Sequence, residues 1–372
     1  MDNFIDINLI LDEIINSIEN TKVINSIVCD IVDNIHINSY KCKYNHKIED
    51  FNNIPNFRNV ILSCYFTSKR DPIHAAECKD KHQATDNYEY IKPLYNSVKK
   101  LNLHLVIFHD GLSEDFIKKY QTDNIFFLKT KLMGNLTIND ERYIIYYQFL
   151  KKYKYKNVLT SDISDVYVAK NPFDLIDNFN LNQFDNLKKI VNSDLDENKK
   201  WEKITESHNL NYTEYERNYF KNSVKKLNKN ISNKLFIGMN TMMRDTFTCD
   251  WFIRREWKIN PFNEVLKDNN YDEIGLIDKS YQMYNCGLVM AEYGKMMKFL
   301  EKFIEVLLIC VKKREKNNWN MVIANYVINK FYCNQYDKEN FTTDMVHSGF
   351  PFNSMYKSKE ELDKTPSCLI HK

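Results

Sequence analysis

Apolar residues along this chain follow two periods, and the two alternate. From Ile14 to Ile35 they recur at spacings of three and four (Ile14, Ile18, Ile24, Ile27, Val28, Ile31, Ile35), which predicts amphipathic helix. From Asn59 the texture changes to short continuous runs rich in β-branched and aromatic residues: Val60–Phe66, Leu103–Phe108, Ile125–Leu128 and Val158–Ser161. Such runs predict strands buried on both faces. Helical patterns fall between them, a polar one over Tyr90–Leu101 and one with Tyr and Leu on one side over Arg142–Tyr153. Further on, Leu235–Met239 and Met283–Met290 return to strand character, and Lys295–Cys310 and Asn320–Phe331 are amphipathic helices.

Strands alternating with helices predict an α/β fold with a largely parallel sheet. In such sheets ligands bind beyond the C-terminal strand ends. Thr67–Asp71, His109-Asp110-Gly111 and Asp162–Asp165 all fall at such ends and are expected to converge. The expected organisation is a helical N-terminal extension over 1–57, its last part (41–57) a connector, and an α/β domain over 58–372. Residues 177–233, rich in Asn, Lys and Asp, are expected to be a polar insertion in that domain.

The chain has 372 residues, of which 43% are hydrophobic, so a full core is available and global disorder is excluded. A net charge of +2 supplies no field to hold nucleic acid, so no nucleic-acid partner is expected. The nine cysteines are odd in number, form no CxxC, and sit in part within apolar runs, as Cys310 does. That pattern fits reduced, buried thiols in a cytoplasmic compartment and gives a zinc site little support. The N-terminus lacks a basic, apolar leader, and no apolar run approaches the roughly 20 residues that span a bilayer, so no transmembrane segment is expected. The N-terminal stripe packs on its own domain or, as the alternative, forms a homodimer seam.

The stretch Leu159–Leu175, LTSDISDVYVAKNPFDL, carries the densest chemistry. An apolar start runs into Asp162 and Asp165, a second apolar run follows, and Asn171-Pro172-Phe173 ends the strand and can open a helix. Two carboxylates about 4 Å apart repel by roughly 4 kcal/mol at an effective dielectric near 20. A divalent cation removes that cost and can hold a diphosphate. The plainer alternative makes Asp162 a turn cap and Asp165 a solvated loop acid.

In the order of its segments, the region from about 59 to 372 resembles the GT-A glycosyltransferases, metal-dependent enzymes that use nucleotide-sugar donors. The first strand runs into Phe66–Pro72. Asn139–Tyr143 precedes the helix that leads to the acidic strand. Thr160–Phe173 is similar to the family's DxD element with its following proline-aromatic pair. Tyr284-Asn285-Cys286-Gly287-Leu288 resembles the Asn-small-Gly strand beneath the sugar. Val346–Asn353 and the final Ile370-His371-Lys372 resemble the C-terminal closing segment.

The resemblance implies a GT-A fold: a Rossmann-like mixed sheet flanked by helices. It implies Mn²⁺ or Mg²⁺ held by Asp162, Asp165 and His371, the imidazole shifting the balance toward Mn²⁺. It implies a UDP-linked nucleotide sugar contacted by Thr67, Lys69, Arg142, Ser161, Asp162 and Lys372. Asp162, Asp165, Asn285 and Asn320 are the expected catalytic positions, and a glycan or glycoprotein is the expected acceptor.

Two departures stand out. The acidic motif is DxxD rather than DxD. The late helix opens with Asn320-Met321 where many relatives carry Asp-Gln or Asp-Met, and an amide cannot act as a base. No Asp or Glu stands out as the base that an inverting enzyme needs, which favours retention of configuration. The competing classes are a nucleotidyltransferase, disfavoured because residues 67–72 contain no glycine for a phosphate loop, and a non-catalytic scaffold that keeps the fold.

Overall fold

The computed structural model describes residues 57–68, 85–130, 132, 136–178, 182–208, 221, 224, 229–239, 264, 284–312, 319–332, 345–349, 351–355 and 367–371. Of the helical extension expected over 1–57, residues 1–56 lie outside the described residues, as do Lys69, the paired Met242-Met243, the tryptophans at 251 and 257, and Lys372.

Four parallel strands form one half of the main sheet: β1 (Asn59–Tyr65), β2 (Leu105–His109), β3 (Ile125–Lys129) and β4 (Asn157–Ser161). Helices α1 (Tyr88–Lys100), α2 (Glu114–Tyr120) and α3 (Ile138–Lys152) connect them. The other half comprises β6 (Leu235–Met239), β7 (Tyr284–Glu292) and β8 (Val346–Ser348). The order across the seven strands is β3-β2-β1-β4-β7-β6-β8. β7 runs antiparallel to both neighbours, so the sheet is mixed, whereas the alternation of strands and helices alone predicted a parallel one. A second sheet has the order β5-β10-β9, from β5 (Val166–Val168), β9 (Asn353–Met355) and β10 (Leu369–His371).

The β1 side chains alternate between two cores. Val60 and Leu62 face one with α3, α7 (Tyr293–Lys312) and α8 (Asn320–Phe331); Ile61 and Tyr65 face the other with α1 and α2. Both faces are covered, which is why these strands read as unbroken apolar runs. Fully burying a Val, Leu or Phe contributes about 1.5–3 kcal/mol, so the two layers hold the sheet rigid beneath whatever its C-terminal edge carries.

Element boundaries differ from expectation where side chains cap the backbone. Leu103 and His104 precede β2 instead of opening it. Asn102 adopts a left-handed φ of 52°, and Leu103 N–H closes α1 on the Val98 carbonyl (3.1 Å). α3 begins at Ile138, four residues before the expected start, because Thr137 accepts the Asp140 N–H (3.2 Å) as its N-cap. Residues 139–143 therefore lie inside the helix rather than ahead of it. Asn171 accepts the Phe173 N–H (3.2 Å) in the turn that leads into a one-turn helix, α4 (Asp174–Asp177), whose own N-cap, Phe173, supplies no side-chain bond.

The stretch expected to be a polar insertion also carries core. α5 (Asn182–Val191) and α6 (Glu197–His208) bury Leu187, Val191, Trp201 and Ile204 against the α1 face of the sheet. Met296 is buried and Met297 packs beside the core. Among the described residues, no helix is long and apolar enough to cross a membrane, and Cys64, Cys286, Cys310 and Cys368 form no disulfide.

Candidate metal centre at the C-terminal end of the sheet

Asp162 follows the last residue of β4, and its N–H donates to the Gly287 carbonyl of β7 (2.8 Å). Asp165 stands just ahead of β5. β10 lies between β5 and β9, antiparallel to the first and parallel to the second, in a register that opposes His371 to Val166. That register sets the imidazole beside Asp165, about 200 residues distant in sequence. A one-residue slip would turn His371 to the other face of the small sheet.

One ligand atom from each of Asp162, Asp165 and His371 lies within 4.8 Å of the other two. His371 Nε2 is 3.4 Å from Asp162 Oδ2 and 3.7 Å from Asp165 Oδ2. The two aspartates are about one-third exposed (29% and 32%), while the His371 side chain is 4% exposed. The acids therefore face outward from a buried imidazole.

Arg142, buried in the second turn of α3, donates Nη1–H to Asp162 Oδ1. Asp162 thus meets a cation on one oxygen and the imidazole on the other. Burial opposes its charge, but Arg142 and His371 outweigh burial and hold the carboxyl well below the usual carboxylate range. Burial likewise opposes a charged His371, and the hydrogen bond to Asp162 and the nearby Asp165 more than offset it, so its pKa is raised. The ion pair that Arg142 makes reaches Asp162, 20 residues on in sequence.

The other expected residues are placed less directly. Thr67 lies beyond β1 and gives its N–H to Asp110 Oδ1 (2.7 Å), and Ser68 N–H donates to Asp110 Oδ2 (3.0 Å). The ends of β1 and β2 are thereby tied together. A Cβ at Gly111 would lie 2.6 Å from Thr67 Oγ1, so glycine permits that approach. Ser161 is buried, and its hydroxyl donates to the Asp162 carbonyl (2.8 Å). Asn285 accepts the Gly287 N–H on Oδ1 (2.8 Å). Asn320 opens α8, its backbone N–H facing the buried Asp140 carboxylate, which also accepts the Trp319 N–H (3.1 Å). No described contact of Asn320 reaches the three ligand side chains.

The sequence placed Asp110 at a converging strand end and Gly287 in the Asn-small-Gly stretch, but not the contacts they make. A glycine inside an apolar strand run marks a close approach. The part Asp140 plays at the start of α8 carried no signal, because its partner there lies in another element.

No family model matches the chain, and no curated protein matches it. Among solved structures, the chain is similar to the galactosyltransferase LgtC in complex with donor and acceptor sugar analogues. That likeness has 13% identity over 84% of this chain and 86% of that one, with a TM-score of 0.33. It is also similar to an active-site mutant of LgtC, at 12% identity over the same shares and a TM-score of 0.35.

Proposed function

We propose that this chain is a metal-assisted glycosyltransferase. Its donor is a nucleotide-diphosphate sugar, UDP-linked, and its acceptor is a hydroxyl of a glycan or glycoprotein. The observation that carries the reading is the meeting of Asp162 and Asp165 with His371, which lies about 200 residues further along the chain.

The residues fit a divalent cation. Two carboxylates and an imidazole make an O/O/N set suited to Mn²⁺ or Mg²⁺. Gly287 supports the fit, because any side chain there would fall on Asp162 and His371. When bound, such an ion neutralises negative charge developing on a departing diphosphate.

The chain's own residues perform the rest. Arg142 keeps Asp162 ionised and fixes one of its oxygens, leaving the other turned toward His371 and Asp165. The buried β10 strand fixes the imidazole. Asp110 holds Thr67 and Ser68 at the adjoining strand ends, where the nucleotide is expected. Both acids of the site belong to the ligand set, which leaves neither as an acceptor base and favours retention over inversion.

Donor turnover measured with Mn²⁺ across a panel of UDP-, GDP- and CMP-sugars tests the reading. Metal-dependent release of one sugar by the native chain, lost in Asp165→Ala, is the expected result. No turnover and no metal-dependent nucleotide binding with any donor would favour a non-catalytic scaffold.

A further inference from the structure

We propose that Asn285 and Gly287 are positioning residues for the cation site, acting on its ligands through the backbone of β7; this rests on the metal reading above. The resemblance places Asn285 beneath the sugar. In the structure its side-chain oxygen takes the Gly287 N–H (2.8 Å). Gly287 in turn gives its carbonyl to the Asp162 N–H (2.8 Å). One short stretch of β7 is therefore held from its own side chain and holds the backbone of a ligand.

The bare Cα at 287 does the second half. A Cβ there would collide with Asp162 Oδ2 and the His371 ring, coming to 2.9 Å from Nε2. Oδ2 and Nε2 are the atoms these residues present to each other, 3.4 Å apart. Neither neighbour yields easily. Asp162 is anchored by Arg142 on its other oxygen, and His371 belongs to a strand paired on both edges. The β6–β7 register shifts at Ile237/Gly238, beside Asn285, and an irregularity of this type re-aims side chains next to functional sites. A Cβ at Gly238 would lie 2.5 Å from the Asn285 carbonyl oxygen, so the neighbouring strand closes down on the same stretch.

The test is Mn²⁺ binding by the full chain without nucleotide, followed by electron paramagnetic resonance, with melting temperature recorded alongside. The native chain binds one ion. Gly287→Ala weakens binding by about tenfold or more, the effect typical of residues that orient ligands. Asn285→Ala weakens it similarly, and Asn285→Asp, which keeps the acceptor oxygen, restores it, both Asn285 variants with melting temperatures near native. Native affinity in Gly287→Ala, or equal loss in Asn285→Ala and Asn285→Asp, overturns the inference. Should Gly287→Ala fail to fold, the Asn285 pair decides alone. A native chain that binds no Mn²⁺ removes the metal reading itself, a result distinct from failure of the positioning role.

Discussion

The two ends of the main sheet both gather acids, amides and cations, yet their charges balance in opposite ways. At the N-terminal ends of β1 and β4, one buried carboxylate, Asp177, meets Lys156, the Asn157 amide (3.0 Å), the Asn59 amide (3.4 Å) and Arg58 (3.6 Å). Cations outnumber the acid, and the carboxylate is enclosed by donors. At the C-terminal end, Asp162 and Asp165 face one guanidinium and one imidazole. Acids equal or outnumber cations there, and both carboxylates remain partly open. The first arrangement ties the strand starts to α4. The second leaves both carboxylates partly open for a ligand to meet, and that openness is the physical mark of a site.

The largest effects should separate the two ends by function. Asp165→Ala or His371→Ala should lower sugar transfer by about 100-fold or more, as loss of charge stabilisation does, with little change in melting temperature. Asp177→Ala should leave transfer at the native level. Equal losses at both ends, measured as kcat/KM, would erase the distinction.

Next comes Arg142→Gln. With its one guanidinium gone, the acid end is unbalanced in the metal-free chain, which should melt at lower temperature at neutral pH. Added Mn²⁺ should raise the melting temperature of the variant more than that of the native chain, because the ion replaces the lost charge. An equal rise in both would contradict the charge-balance argument.

Asp177→Ala should cost about 1 kcal/mol in denaturant unfolding, the loss of its hydrogen bonds from the Asn157 and Asn59 amides. The pH dependence has a definite sign. Burial opposes the Asp177 charge, but hydrogen bonds from Lys156, Asn157 and Asn59 prevail and depress its folded pKa. Its stabilisation is present above the unfolded carboxylate pKa and fades as pH falls through the folded value. The variant should therefore lose less stability on acidification than the native chain.

The smallest effect concerns Asp140, a buried acid one turn from neither strand end. Burial pushes it up to about 6 against hydrogen bonds from Thr137 and the start of α8. A folded pKa above the unfolded one means that the native state holds the extra proton, so stability falls as pH rises from about 4 to 6. Asp140→Asn keeps an acceptor for Trp319 and should flatten that slope, changing stability at neutral pH by less than about 1 kcal/mol. Stability curves against pH decide it.

How far each region was legible follows from the range of its contacts. The four parallel strands and α8 announced themselves because burial on both faces leaves an apolar run or a clean helical period. The start of α3 did not, since Asn139, Asp140, Glu141 and Arg142 look solvated in sequence. Three of them, Asp140, Glu141 and Arg142, are buried, and two take partners far off in sequence: Arg142 takes Asp162, 20 residues away, and Asp140 takes Trp319, 179 residues away. The second core in α5 and α6 was masked by Asn and Lys around Leu187, Trp201 and Ile204. The small sheet was invisible, because β10 is three residues long and its register with β5 is set entirely by tertiary pairing. The ligand residues themselves were named from a family resemblance, and the DxxD spacing alone left both readings open.

One measurement reaches the central claim directly: an anomalous difference map from crystals holding Mn²⁺ and UDP. The account predicts a single strong peak bounded by Asp162, Asp165 and His371, on the side of Asp162 away from Arg142. A map with no peak there, or with Mn²⁺ bound elsewhere while UDP is held, would contradict it.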